Sequence, residues 1–261
     1  MPRILFILSL CLFTLSLFAQ NKTYTYLIYH KLSPGKTVQD ALPVEREWRA
    51  VNQAAVDEGN MIGWYMMAKQ MTSNPNPAEY DYVTVIVTPT MNIKGGSPAA
   101  MAKLYGDSVQ TRMNSLNARD RATAPVVKME VWETASALFP PDFTPEKSPV
   151  VVLNYMKPYD PKAPWADLLD PMKIWATSRI TDGSVSGWAF SKLVLPNGSE
   201  KGYGLLIAQV GTNAASIANP LVINGESIKA YSQSRQTFDV VRQEVFRIME
   251  FTNRPKTAVN K

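Results

Sequence analysis

Thiol and imidazole groups are nearly absent from this chain of 261 residues, which has one cysteine, Cys11, and one histidine, His30. Zinc sites usually combine several Cys and His ligands, so we expect no metal site. One cysteine cannot form a disulfide within the chain. A phosphate-binding loop is also missing, and Val185 stands where a nucleophile elbow would need serine. The sequence therefore lacks the common signatures of hydrolases and nucleotide-binding enzymes.

Clustered positive charge is lacking as well. The 27 Lys and Arg residues exceed the 22 Asp and Glu residues by only five, and they are scattered along the chain. Proteins that bind nucleic acids concentrate Lys and Arg on one surface, so we expect no nucleic-acid partner. Hydrophobic residues make up 46% of the chain, which is enough for a packed core.

Residues 1–19 have the pattern of a secretory signal peptide. Arg3 provides the positive start, an apolar run follows, and Ala19 is a small residue before the expected cleavage point. A membrane anchor is the alternative, but the run is shorter than the ~20 residues of a bilayer span. Cleavage would remove Cys11, and the loss of Arg3 would lower the net charge from +5 to +4. We expect a secreted, periplasmic protein without a stable membrane anchor.

A proline-rich segment divides the chain. Residues 139–149 (FPPDFTPEKSP) contain four prolines, which interrupt helices and central strands. The segment predicts a linker between a first unit, residues 20–138, and a second unit, residues 150–261.

Both units predict the same order of elements, β-α-β-β-α-β. In the first, periodicity predicts strands at 23–32, 61–71, 79–88 and 126–134, and helices at 43–58 and 98–121. In the second, it predicts strands at 150–157, 185–195, 202–210 and 244–251, and helices at 164–179 and 227–241. Each unit would form a four-stranded antiparallel sheet with both helices on one face, and two bare faces could pack together as a barrel.

Short matches between the halves support a tandem repeat. Gly63-Trp64 corresponds to Gly187-Trp188 on the second strand of each half, and residues 27–31 (LIYHK) correspond to 153–157 (LNYMK). This doubled arrangement resembles the dimeric α+β barrel superfamily, which includes antibiotic-biosynthesis-type monooxygenases and chlorite dismutase. The resemblance implies an α+β fold, two ferredoxin-like units forming a pseudo-dimeric barrel, with a ligand site inside the barrel.

The candidate ligand-binding residues are aromatic side chains on predicted strands: Tyr24, Tyr26, Trp64, Trp132 and Trp188. Aromatic rings provide flat apolar walls for a flat ligand. The alternative is that these rings only fill the core between the halves.

The candidate catalytic residues are His30 and Glu130. His30 could face the barrel interior as a general base or axial haem ligand, or it could be a histidine near the surface at a strand end. Glu130 matches Glu244 on the last strand of each half. The two carboxylates could share a dry space and transfer protons, or they could face solvent or pair with neighbouring cations, Lys128 and Arg242.

These observations favour a secreted protein that binds a small apolar or aromatic molecule between its sheets, without a cofactor. One alternative is a cofactor-independent oxygenase or isomerase. Another is a non-catalytic scaffold that presents its surface to a partner. The sequence leaves the oligomeric state open.

Overall fold

The structure is a computed structural model that describes residues 22–160, 162, 167, 169–198, 201–218 and 225–253. The predicted signal peptide lies outside these residues. The strands are β1 (Thr23–His30), β2 (Gly63–Thr72), β3 (Tyr82–Thr88), β4 (Val126–Leu138), β5 (Val150–Pro158), β6 (Gly187–Leu195), β7 (Leu205–Gly211) and β8 (Phe238–Phe251). The helices are α1 (Val38–Asp57), α2 (Pro98–Tyr105), α3 (Val109–Thr123), α4 (Leu169–Thr181), α5 (Ala214–Ala218) and α6 (Gly225–Thr237).

The eight strands form a closed barrel in the order β1-β3-β2-β8-β5-β7-β6-β4. All neighbouring strands are antiparallel. The first half contributes the consecutive strands β4-β1-β3-β2 and the second half contributes β8-β5-β7-β6. Pairing of β2 with β8 and of β4 with β6 joins the halves, so closure leaves no free sheet edge. The predicted barrel-like body is confirmed.

Three packed clusters establish which side of each strand faces inward. One cluster takes buried side chains from all eight strands and fills the barrel, and it includes Leu27, Tyr29, Met67, Val83, Trp132, Leu153, Tyr155, Leu193, Leu206 and Phe246. A second cluster lies between the outer face of the first-half strands and α1. The third lies between the outer face of the second-half strands and α4. Alternation along a strand places neighbouring residues in different clusters.

The first helix starts earlier than the predicted residue 43. The side chain of Asp40 accepts a hydrogen bond from the backbone N–H of Thr37 at 2.8 Å, and α1 therefore begins at Val38. This contact is part of a capping box, in which Thr37 before the helix and Asp40 in its first turn bond to each other. Pro43 lies inside the helix.

The predicted helix at 98–121 is two helices. Gly106 follows α2 with a φ of +58° and a ψ of −137°, a positive-φ conformation that glycine adopts at low cost. A single 3₁₀ turn, Gly106–Ser108, separates α2 from α3.

The last helix of the second half is shorter than predicted, and the last strand is longer. We predicted a helix up to residue 241, but α6 ends at Thr237 and β8 begins at Phe238. Val240 pairs with Met156 of β5, and β-branched residues favour strands. The extended β8 pairs with both β2 and β5, so tertiary pairing overrides the local helical periodicity.

None of the helices in the described ranges combines the length and the apolar character that a membrane span needs.

Candidate functional site

His30 lies outside the barrel, beneath the helices of the first half. Only 4% of its surface is exposed. Its Nδ1–H donates to the carbonyl oxygen of Ala124 at 3.0 Å, and the Thr84 hydroxyl lies 2.9 Å from Nε2. Burial lowers the pKa of His30 to about 4, so the ring is neutral. Both placements considered from the sequence, inside the barrel and near the surface, are wrong, because this face of β1 packs beneath α1.

The candidate aromatic residues do not share one site. Tyr24, Tyr26 and Trp64 belong to the cluster beneath α1. The Tyr26 hydroxyl donates to the carbonyl oxygen of Met91. Trp188 packs in the cluster beneath α4, and only Trp132 points into the barrel. The expected pocket between the sheets is therefore not formed by these five residues together, because alternation places four of them on outer faces.

Glu130 is the centre of a polar group inside the barrel. Its carboxylate is fully buried and accepts hydrogen bonds from the hydroxyls of Tyr29 at 2.7 Å and Tyr203 at 2.6 Å. Lys201 Nζ lies 2.6 Å and Lys128 Nζ 3.1 Å from Glu130 Oε1. Burial alone would raise the pKa of Glu130, but the two lysines and two hydroxyls hold it below its ordinary value.

Glu244 occupies the matching position in the second half. It is fully buried and pairs with Arg242 at 2.8 Å. The Thr72 hydroxyl donates to Glu244 at 2.8 Å, and the Tyr80 hydroxyl also donates to it. Both glutamates thus point into the barrel, as the proton-transfer hypothesis required. Each also pairs with the cation expected by the alternative, Glu130 with Lys128 and Glu244 with Arg242.

Tyr29 and Tyr155 lie between the two glutamate groups, since Tyr29 donates to Glu130 and the Arg242 guanidinium lies 5.5 Å from the centre of the Tyr155 ring. The hydroxyls of Tyr29 and Tyr155 lie 3.0 Å apart. Burial raises the pKa of both tyrosines well above the ordinary value, so their hydroxyls stay protonated as donors. Packed side chains surround much of this network, and Lys201, Tyr203 and Arg242 line an open pocket on one side. Its charged groups pair with one another, although the buried Nε of Arg242 has no hydrogen-bond partner among the described residues. The interior is therefore suited to holding the two halves together.

A cavity of about 200 Å³ lies elsewhere, between the outer face of the second-half strands and their helices. Its apolar walls include Met156, Met172, Ile207, Phe238 and Val240, and its polar lining includes Asn154, Gln209 and Gln243. Trp175 and Tyr231 form an aromatic side, with ring centres 6.1 Å apart at an angle of 26°. Such a mixture of apolar walls and a few polar groups is typical of small-molecule sites.

The cavity is positively charged. Arg179 and Arg235 line it, and the described lining includes no carboxylate. The Arg179 guanidinium lies 5.5 Å from the centre of the Trp175 ring. It donates to Ser184 Oγ at 2.6 Å and to the Ser216 carbonyl at 2.8 Å. These bonds hold the guanidinium against the cavity wall, where its charge favours an anionic ligand.

Trp175 also offers a hydrogen-bond donor. Its indole Nε1 is buried, and no acceptor among the described residues reaches it. A buried polar atom normally has a partner, so this donor favours a ligand that carries an acceptor atom.

The sequence analysis included neither Trp175 nor Tyr231 among the candidate ligand-binding residues. Arg179 could have indicated the site from the sequence, because it follows Trp175 by four residues and therefore lies on the same face of the helix. A charged residue on a buried helix face is uncommon unless it has a specific role.

Comparisons with known proteins identify the fold. No protein-family model matches the chain, and no curated protein matches it. An anthrone oxidase-like protein of known structure is 10% identical, with a TM-score of 0.52 over 92% of this chain and 97% of the other. A proposed monooxygenase from Fusobacterium nucleatum subsp. nucleatum is 8% identical, with a TM-score of 0.52 over 90% and 94%. The chain therefore has the dimeric α+β barrel fold, as the resemblance implied.

Proposed function

We propose that the protein is an oxygenase that acts on a small, planar, weakly acidic aromatic molecule in the cavity of its second half. The observation that carries the proposal is the cavity itself, in which an aromatic wall meets two arginines and the described lining includes no carboxylate. The names of the two structural neighbours, an anthrone oxidase-like protein and a proposed monooxygenase, support an oxygenase over a simple carrier.

The residues of the cavity suit an acidic carbon or phenol. An aromatic ring would pack on Trp175, whose Nε1–H would donate to a ring carbonyl or phenolate oxygen. Arg179 and Arg235 would stabilise the deprotonated substrate and so lower the pKa of its C–H or O–H group. Trp175, Arg179 and Arg235 would thus bind and activate the substrate, although the described lining includes no charged base.

The reaction proposed is oxidation of an activated CH₂ group by dioxygen. The deprotonated carbon supplies electrons to O₂, one oxygen atom becomes a new C=O group, and the other leaves as water with both hydrogens. Dioxygen is thus the only oxidant needed. An anthrone would yield an anthraquinone by this route.

Binding without turnover is the second candidate function. It is favoured by the lack of a carboxylate or imidazole in the described lining, because general-base catalysis normally uses one of these groups.

We further propose that the two halves are repeats of one ferredoxin-like unit, and that the mature protein is secreted into a periplasm.

The test uses anthrone and 1-naphthol as probes, with oxygen uptake and tryptophan fluorescence as readouts. We expect anthrone-dependent oxygen uptake, and we expect both probes to quench fluorescence at saturation. Arg235→Ala should weaken binding and slow uptake about tenfold or more, since a hydrogen bond to a charged group contributes about 1.5–3 kcal/mol.

Trp175→Phe and Trp188→Phe form a matched pair of variants. Both rings are in the helix-covered cluster of the second half, but only Trp175 lines the cavity. The first should lose binding and the second should keep it. Binding without oxygen uptake would favour the carrier. If the protein shows no binding and no oxygen uptake, both proposed functions are overturned.

A further inference from the structure

The only histidine of the chain meets two carboxylates in the first half, far along the chain from the cavity residues. His30 comes from β1, Glu45 from α1 and Asp120 from α3. One potential ligand atom from each lies within 4.8 Å of the other two. His30 and Glu45 are buried, whereas Asp120 is partly exposed. The partly exposed side gives a small ion a path to the group.

The imidazole of His30 is already oriented as in many metal sites. Its Nδ1–H donates to the Ala124 carbonyl at 3.0 Å, so Nε2 carries the lone pair. Metal-binding histidines usually donate the other ring N–H to a carbonyl or carboxylate in this way. The Thr84 hydroxyl, 2.9 Å from Nε2, is a neutral group that a cation can replace.

The carboxylate of Glu45 is also held by a neighbour. The Tyr82 hydroxyl donates to Glu45 Oε1 at 2.7 Å. The Tyr82 ring stacks on the His30 ring, with centres 4.6 Å apart and an angle of 2°. One tyrosine therefore positions two of the three potential ligands.

Neither carboxylate of the group has a close cationic partner among the described residues. No Lys or Arg in the described ranges forms an ion pair with Glu45 or Asp120. Buried carboxylates normally pair with a cation or coordinate a metal.

We propose that His30, Glu45 and Asp120 bind one divalent transition-metal ion and thereby fasten α1 and α3 to β1. One imidazole and two carboxylates suit Zn²⁺, Mn²⁺ or Fe²⁺ better than a thiol-seeking ion. The sequence predicted no metal site because it has a single histidine. The fold supplies the other two ligands as carboxylates from separate helices.

The experiment uses the full mature protein, purified without a histidine tag and stripped with a chelator. Cobalt(II) is the spectroscopic probe, Zn²⁺ is the second metal, and Ca²⁺ is the negative control. We expect one cobalt ion per chain by native mass spectrometry, new visible absorption, and a rise in melting temperature with Co²⁺ or Zn²⁺ but not with Ca²⁺.

Three variants locate the site. Glu45→Gln keeps the side-chain shape and the hydrogen bond from Tyr82, and Asp120→Asn changes a partly exposed residue, so both should fold. Each should lower metal affinity at least tenfold and abolish the thermal shift. Glu47→Gln, on the same helix but outside the group, should behave as the unchanged protein. The proposal is overturned if the unchanged protein binds no cobalt, or if Glu45→Gln and Asp120→Asn bind it equally well.

Discussion

At the scale of single residues, Glu130 illustrates how a buried charge can be tolerated. Its donors are Tyr29, Tyr203, Trp132, Lys128 and Lys201. Removing an ion from water costs several kcal/mol, and only good geometry with further hydrogen bonds offsets that cost. The donors come from both halves of the chain, so Glu130 depends on the closed barrel for its partners.

The lowered pKa of Glu130 predicts a specific dependence of stability on pH. A carboxyl group whose folded-state pKa lies below its ordinary value of 4.5 contributes stability above that value. The contribution is lost as the pH falls through the folded-state pKa. We expect Glu130→Gln to lower the free energy of unfolding at pH 7 by about 3–5 kcal/mol and to weaken the acid dependence. Urea denaturation between pH 3 and pH 7 measures both.

Glu133→Gln is the matched control for this prediction. Glu133 is on the same strand and pairs with Lys192 at 3.3 Å near the surface, where an ion pair contributes about 0–1 kcal/mol. If Glu130→Gln and Glu133→Gln had the same stability and the same acid dependence, the assigned role of Glu130 would be incorrect.

At the scale of elements, Gly106 determines where one predicted helix becomes two. Its φ of +58° and ψ of −137° define a backbone conformation that costs other L-residues about 1–3 kcal/mol. No atom lies within 4 Å of an added Cβ, so backbone strain alone should set the effect of a substitution.

Gly106→Ala should therefore lower the free energy of unfolding by about 1–3 kcal/mol. Gly95→Ala is the control, since an added Cβ there also meets no atom and the backbone is not left-handed. Denaturation of both variants by urea tests the effect. An unchanged or raised stability of Gly106→Ala would show that the helix can continue through this position.

At the scale of the whole molecule, the halves exchange polar contacts. Tyr80 of the first half donates to Glu244 of the second, and Tyr203 of the second half donates to Glu130 of the first. The barrel also closes through β2–β8 and β4–β6 pairing. Each half thus supplies partners that the other needs.

We predict that residues 20–149 alone do not form a stable folded monomer. Separation would expose the edges of β2 and β4 and the apolar inner face of the first-half strands, which promotes unfolding or association. Light scattering after size-exclusion chromatography and circular dichroism test this. A folded, monomeric fragment with cooperative melting would contradict the prediction.

Much of the architecture was predictable from local pattern. Alternation and helical periodicity predicted the β-α-β-β-α-β order in both halves, and the described residues have this order, with α2 and α3 replacing one predicted helix and a short additional helix, α5, before α6. Boundaries that depend on distant partners were missed. The start of β8 at Phe238 follows from pairing with β5, which no local window contains.

The sequence by itself determined that each strand has two different faces, because side chains alternate along a strand. Only the tertiary structure decided which face lies inside the barrel, because that depends on where helices and partner strands pack. This decision placed Glu130 inside and His30 beneath α1. It also brought Trp175 and Arg179 from α4 together with Tyr231 from α6 around one cavity, a meeting of distant segments that no local pattern encodes.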